Sequence, residues 1–296
     1  MFQESSSKSQ SSNDRGLSSH FEESLKLSNV TLIDSEVNGS ISSLMSCAEI
    51  VTLLARHGCQ DLTPLLSSES ISQYPVSTGG FGDIYRGRLL GNHKVAIKTV
   101  RVFESCELGK YHKSAARELY TWSKCRHPNV VELMGLVTFR GSLAMVSVWA
   151  EHGTLPAHLK KNPSTDRCSL STLICRGLVY LHANSIIHGD LKGDNVLISA
   201  DGNPMLNDFG NASVQNASLR FSQTTTGIKY STRWAAPEII METTLLTREA
   251  DIYALGMTIL VLKSALPQNL NMPLNYIRRR PSPETCHMRA LRRTLL

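Results

Sequence analysis

At 296 residues with 41% hydrophobic side chains, the chain can bury one large core or two modest ones, a composition that argues against fibrous and membrane proteins. The net charge of +6 sits in the tail: from Lys263 onward seven Lys or Arg stand against one acid, Glu284, and such a tail reads as a solvated extension rather than a nucleic-acid surface. Residues 1–12 carry no apolar signal core and the longest apolar run, 254–262, is too short for a bilayer, so the expectation is a cytoplasmic or nuclear protein with no membrane partner.

Seven scattered cysteines with no C-x-x-C pair fit a reduced compartment and give no zinc site or disulfide framework. Residues 1–43 hold fourteen serines and few large apolar side chains, too little to offset the entropy of ordering, and read as a disordered Ser-rich tail. Residues 44–72 form a short helix and linker; Leu44, Ile50, Val51, Leu53 and Leu54 give 44–55 a modest apolar face that can pack on the domain C-terminal to it. That domain occupies 73–262, with lobes at 73–150 and 151–262, and a basic divergent tail covers 263–296. Within the first lobe, 83–90 and 94–102 are strand-like runs joined by Gly91 and Asn92, a hairpin signal. A helix over 114–125 carries Ala115, Leu119 and Trp122 on one face and stops before His127-Pro128-Asn129. Strands over 130–137 and 143–149 complete a small antiparallel sheet. In the second lobe, Leu170, Leu173, Ile174, Gly177, Leu178 and Leu181 recur along one helical face. The predicted fold class is α+β with two lobes, the first a small sheet with one helix and the second mainly helical.

Thr78-Gly79-Gly80-Phe81-Gly82 precedes a strand rather than a helix, which argues against a dinucleotide fold; bare backbone at Gly79 and Gly82 suits close approach of a triphosphate, although a plain tight turn has the same composition. On the next strand Ala96 and Lys98 share one face. A buried Lys98 needs a carboxylate, and Glu118, on the helix face of Ala115 and Trp122, offers one unless it is simply an exposed helix glutamate. The densest cluster is His188-Gly189-Asp190-Leu191-Lys192-Gly193-Asp194-Asn195, followed by a hairpin of 196–199 and 204–207 around Asp201-Gly202-Asn203. Asn195 enters that hairpin and Asp208 leaves it, so closing it brings two oxygen donors together where a hard cation such as Mg²⁺ can be held.

V-A-I-K, H-x-D-L-K-x-x-N, D-F-G and A-P-E thus occur in one order, and the chain over roughly residues 74–262 resembles the eukaryotic protein kinase domain. Arg233-Trp234-Ala235-Ala236-Pro237-Glu238 and Lys192 resemble the tyrosine-kinase-like group of serine/threonine kinases. The resemblance implies ATP and Mg²⁺ as cofactors and a protein with a Ser/Thr acceptor as substrate. It also implies roles. Val76, Ser77, Gly79, Gly80, Phe81 and Gly82 would line the phosphate loop, Lys98 held by Glu118 would grip the α/β-phosphates, and Asp190 and Lys192 would serve the transfer. Asn195 and Asp208 would hold the metal. Ile84, Ala96 and Leu197 would sandwich the adenine, Val148, Trp149 and Ala150 would form the hinge behind the gatekeeper Ser147, and Asp251 would anchor the catalytic loop.

Three departures stand out. Ser77 replaces the first loop glycine, which stiffens the loop and keeps its amides. Gly189 replaces the arginine that pairs with a phosphorylated activation segment, implying weak dependence on phosphorylation of Ser222, Thr224, Thr225, Thr226, Ser231 or Thr232. Beyond Lys263 the helices that complete the lower lobe are not recognisable, nor is an arginine for Glu238, so the expectation is an incomplete lobe. An active kinase is the leading reading, a nucleotide-binding pseudokinase or scaffold the alternative, and a nucleic-acid binder ranks well below both.

Overall fold

The computed structural model describes residues 40–79, 82–99, 108–214, 219–221 and 231–264. Its first described elements precede the sheet: strand β1 (Ser40–Ile41) and helix α1 (Cys47–Arg56). Ser46 caps α1 in a reciprocal box: its Oγ accepts from Glu49 N at 3.3 Å while its own amide donates to Glu49 Oε2 at 2.8 Å. Ile50, Leu53 and Leu54 form the buried face, which is the helical pattern expected for 44–55 with its start moved to the cap.

Strands β2 (Ser77–Gly79), β3 (Gly82–Arg88) and β4 (Lys94–Thr99) lead into helix α2 (Leu108–Ser123), then β5 (Leu133–Phe139) and β6 (Ser142–Val148). They form one antiparallel sheet in the order β2-β3-β4-β6-β5. Period-two alternation sends Val95, Ile97, Ala144 and Val146 to a core under residues 62–71, and Leu143 and Met145 to the opposite face. Two boundaries differ from expectation. Helix α2 begins six residues before 114, because its early turns carry polar His112 and Lys113, which are buried even so. Strand β5 begins at Leu133 rather than 130, because Val130 and Val131 pair with Leu206 instead.

The lower body starts at α3 (Leu155–Lys161) and α4 (Arg167–Ala183), the latter capped by Asp166, whose Oδ1 accepts from the amides of Cys168 and Ser169 at 2.9 and 3.1 Å. Strand β7 (Ile186–Ile187), the hairpin β8 (Val196–Ile198) and β9 (Pro204–Leu206), and β10 (Ser213–Val214), which pairs with β7, frame the loops of the site. Strand β11 (Arg220–Phe221) pairs in parallel with β1. Helices α5 (Pro237–Ile240) and α6 (Arg248–Ser264) complete the described elements. The Arg167 guanidinium donates to Leu262 O at 2.7 Å, tying the start of α4 to the end of α6. This is a two-lobed α+β domain, a sheet lobe with one flanking helix above a helical lobe. The expectation of an incomplete lower lobe rests on residues after Ser264, which lie outside the described residues. Among the described residues no helix is long and apolar enough to cross a membrane, and Glu238 has no ion-pair partner.

Candidate active site

The upper wall is built on β4 and α2. Lys98 is 8% exposed, and its Nζ donates to Glu118 Oε1 at 2.6 Å and to Asp208 Oδ1 at 2.7 Å. Burial opposes charge on this lysine, yet the two carboxylates outweigh it and raise its pKa. One cation between two carboxylates leaves a net negative cluster, and the penalty falls on the better-buried partner. Burial, with the like charge of Asp208 beside it, pushes the Glu118 carboxyl up against the pull of Lys98. Burial also acts on Asp208, but there Lys98 wins and holds the carboxyl below its ordinary value. Lys192 adds to that depression, which links the upper cluster electrostatically to the lower one.

Asp208 has φ +68, a left-handed backbone that costs a non-glycine residue about 1–3 kcal/mol and persists only where its surroundings enforce it. They do so through the next residue. Phe209 is fully buried, stacked on Trp122 of α2 at 5.7 Å and tilted against His188 at 5.6 Å. Trp122 is itself fixed by donating from Nε1 to Val131 O at 2.6 Å.

The lower wall is local. Lys192 Nζ donates to Asp190 Oδ2 at 2.7 Å and to Ser231 Oγ at 2.7 Å. Asn195 turns its amide nitrogen onto Asp190 O at 2.7 Å and Oδ2 at 3.1 Å, and the backbone carbonyl of Asn195 accepts from Asn207 N at 2.9 Å, beside the β8–β9 hairpin. His188 Nδ1 accepts from Asp190 N at 3.3 Å, so the neutral ring carries its proton on Nε2, which donates to Asn207 O at 3.0 Å. From beneath, the buried Asp251 of α6 accepts from the amides of His188 and Gly189 at 2.8 and 2.9 Å and from His182 Nε2 at 2.9 Å.

Gly189 has φ +79, and a Cβ there would lie 2.7 Å from Leu246 Cδ1 and 3.0 Å from Asn211 O, so the backbone and its neighbours both favour glycine. Gly79 and Gly82 are register partners across the β2–β3 hairpin, and the turn residues Gly80 and Phe81 lie outside the described residues. Val76 and Ser77 are exposed on the incoming side, and Val76 N donates to Ile84 O at 2.8 Å. Ala96 pairs with Ser147 and with Arg86 in the sheet register, and Ile84 with Lys98. Val148, Trp149 and Ala150 leave β6 half-buried, while Leu197 bridges to Thr154. Of the candidate acceptors, Ser222 and Thr224–Thr226 lie outside the described residues; Ser231 is the lysine partner noted above and Thr232 is exposed.

Several participants were not legible in the sequence. Ser231 appeared there only as a hydroxyl, and nothing in its neighbours foretold the bond to Lys192, 39 residues away. The sequence places Lys98 and Asp208 around one nucleotide and pairs the lysine with Glu118, whereas the direct bond from Lys98 to Asp208, 110 residues away, has no local signal.

As for a metal, Asn195 spends its NH₂ on Asp190 and Asp208 spends one oxygen on Lys98, leaving an amide carbonyl and a carboxylate oxygen as hard donors. Among the described residues no group of three His, Cys, Asp or Glu side chains converges. The donor set therefore fits a Mg²⁺ ion completed by phosphate oxygens and water rather than a resident all-protein site.

A sheet lobe carrying a doubly paired lysine, set over a loop in which an aspartate, a lysine and an asparagine are bonded together, defines the architecture of an ATP-type phosphoryl-transfer domain. The chain belongs to the protein kinase domain family, matching its pattern over residues 73–275. It is 33% identical over 193 residues, 62% of this chain and 28% of the relative, to a putative L-type lectin-domain containing receptor kinase of Arabidopsis thaliana. With the Arabidopsis thaliana serine/threonine-protein kinase STY46 it shares 32% identity over 208 residues, 68% of this chain and 34% of the relative. A Raf homolog serine/threonine-protein kinase of Caenorhabditis elegans is 31% identical over 223 residues, 70% of this chain and 26% of the relative. The chain thus spans about a quarter to a third of the length of these relatives. The two serine/threonine-protein kinases, one of them a Raf homolog, and the receptor kinase among its relatives agree with its place in the tyrosine-kinase-like group.

Proposed function

We propose that this chain is an active serine/threonine kinase that transfers the γ-phosphoryl of ATP to a hydroxyl of a protein substrate. The observation that carries the reading is the double pairing of Lys98 with Glu118 and Asp208, at 2.6 and 2.7 Å, in the same field as the Asp190–Lys192 pair. In this reading Glu118 holds the Lys98 ammonium where it grips the α/β-phosphates, and amides of the loop around Val76, Ser77, Gly79, Gly80, Phe81 and Gly82 cover them. Asp190 accepts the proton of the substrate hydroxyl, and Lys192 steadies the transferring group while Ser231 keeps it aligned. Asn195 and Asp208 hold Mg²⁺, which when bound neutralises charge developing on the phosphates. Ile84, Ala96 and Leu197 enclose the adenine, the backbone of Val148 to Ala150 reads its edge, and Ser147, small and next to the hinge, leaves space behind it. The chemistry asked of the protein is positioning and electrostatic stabilisation. A cytoplasmic or nuclear setting with soluble protein substrates belongs to the same proposal.

A second reading, a nucleotide-binding scaffold, is favoured by one feature: Ile252 and Leu260 on α6 are 58% and 56% exposed, an apolar stripe on the helix that supports the catalytic loop. Incubating the protein with labelled ATP, Mg²⁺ and a generic basic protein separates the two. The kinase reading expects labelled substrate, lost in both Lys98→Met and Asp190→Asn. A raised melting temperature with MgATP and no labelled product would establish the scaffold instead.

A further inference from the structure

Residues 40–62 lie ahead of the catalytic pattern, yet they touch α2, which carries Glu118, and the segment at 219–221, which follows Asp208 in the chain. On α1, Ile50, Leu53 and Leu54 are buried in one core with Ala115, Ala116, Leu119 and Tyr120 of α2, the helix that presents Glu118. At the C-terminal end of α1, His57 meets the Tyr120 ring edge-on at 6.0 Å and its carbonyl accepts from Lys124 Nζ at 3.3 Å. Tyr120 then reaches the segment beyond Asp208, its hydroxyl accepting from Leu219 N at 3.3 Å, with Leu219 buried. In the same segment β11 pairs with β1, Ser40 opposite Arg220 and Ile41 opposite Phe221. Farther on, residues 60–62 close the free edge of β5: Leu136 N donates to Gln60 O and Leu62 N to Leu136 O, both at 2.8 Å. The fit is tight, since a Cβ at Gly135 would lie 2.3 Å from Gln60 O.

We propose that residues 40–62 are an activating strap in cis, and that Ile50 and Leu54 are positioning residues that act on the reaction through α2. The inference rests on the kinase reading of the site. Its physical basis is a balance. A buried lysine–carboxylate pair gains about as much from attraction as it loses to desolvation, so the Lys98–Glu118 bond by itself holds α2 weakly and the packing behind the helix decides its position. The strap supplies that packing, and it fastens the segment after Phe209 to the same surface. A chain with the strap seated keeps Glu118 on Lys98; a chain with the strap released lets α2 roll and the segment at 219–221 come free together.

The test compares the full chain with Ile50→Ala/Leu54→Ala, with the conservative Ile50→Val, and with Thr52→Ala on the exposed face of α1 as control. Hydrogen exchange is read in peptides covering 108–123, 219–221, 167–183 and 248–264, alongside transfer from labelled MgATP. The expected result for the double variant is at least tenfold faster exchange in 108–123 and 219–221 with α4 and α6 unchanged, and at least tenfold lower kcat/KM. Ile50→Val and Thr52→Ala should stay within about twofold of the parent in both readouts. Unchanged exchange in α2, exchange that rises equally in α4 and α6, or faster α2 exchange without loss of transfer would each overturn the strap. If the unmodified chain transfers no label at all, the kinase reading fails, and the exchange pattern alone decides whether the strap holds α2.

Discussion

The two lysine–carboxylate clusters of the site are assembled in opposite ways. Lys98 finds Glu118 20 residues on and Asp208 110 residues on, so its cluster exists only when β4, α2 and the chain after β9 are all in place. Lys192 meets Asp190 two residues away, and Asn195 returns to the same aspartate over five. From farther off the local cluster takes Ser231, bonded to Lys192, and Asp251, which holds the loop by two amides and is itself bonded to His182 of α4. On the kinase reading, the long-range cluster is therefore where conformation can control activity, and the short-range cluster is where the chemistry is kept ready.

The sharpest way to separate their roles is Asp190→Asn. On the kinase reading, removing the proposed general base from the local cluster should lower transfer by roughly 10²–10⁴-fold and leave the melting-temperature rise with MgATP intact, because the Lys98 cluster is untouched. Lys98→Met breaks the other side. It leaves the buried Glu118 and the partly buried Asp208 without their cation, and chemical denaturation near neutral pH should show about 3–5 kcal/mol of lost stability. The sign of its pH dependence comes from Glu118. A carboxyl whose folded pKa is raised contributes stability that is present at low pH and lost as pH rises through the folded value. Losing Lys98 removes the pull on Glu118 and pushes that carboxyl further up, so the variant gains more from protonation than the parent, and Asp208, no longer held low, acts in the same direction. The penalty of Lys98→Met should therefore shrink as pH is lowered toward the carboxylate range, and a penalty that grew instead would show that the two carboxylates do not titrate around Lys98.

Asp251→Asn attacks the support that reaches the local cluster from α6. With one oxygen replaced by a donor, at least one of its three partners loses its acceptor, and denaturation should register about 1–3 kcal/mol together with reduced transfer. The smallest effect is a labelling contrast. Cys125, just beyond α2, has its thiol pushed up to about 12 by burial, and Cys59, at the end of the strap, is buried and raised as well. An alkylating reagent at mildly alkaline pH should modify the exposed Cys168 first and reach Cys59 and Cys125 only as the strap and α2 open. Equal labelling of all three in the folded chain would remove the distinction between the two regions.

Legibility in the sequence divides along the same line. The loop of His188 to Asn195 and the hairpin after it were readable because their partners lie within a few residues, where turn chemistry and spacing determine geometry. The Lys98–Glu118 pairing was readable from helix and strand periodicity, since each side chain's face could be assigned without knowing the other's position. The bonds from Lys98 to Asp208 and from Lys192 to Ser231 were not, because no local pattern encodes a meeting across 110 or 39 residues. The strap was half visible: the apolar face of α1 announced packing, while the β1–β11 pair and the closure of the β5 edge depend on two-residue and three-residue segments too short to carry a period.

The most direct measurement is a single-turnover experiment with enzyme in excess over labelled ATP, Mg²⁺ and protein acceptor, comparing the unmodified chain with Asp190→Asn. The account predicts label on serine or threonine with the unmodified chain, and a variant that binds MgATP equally well yet transfers at least a hundredfold more slowly. Tight MgATP binding by both proteins with no label from either would contradict it.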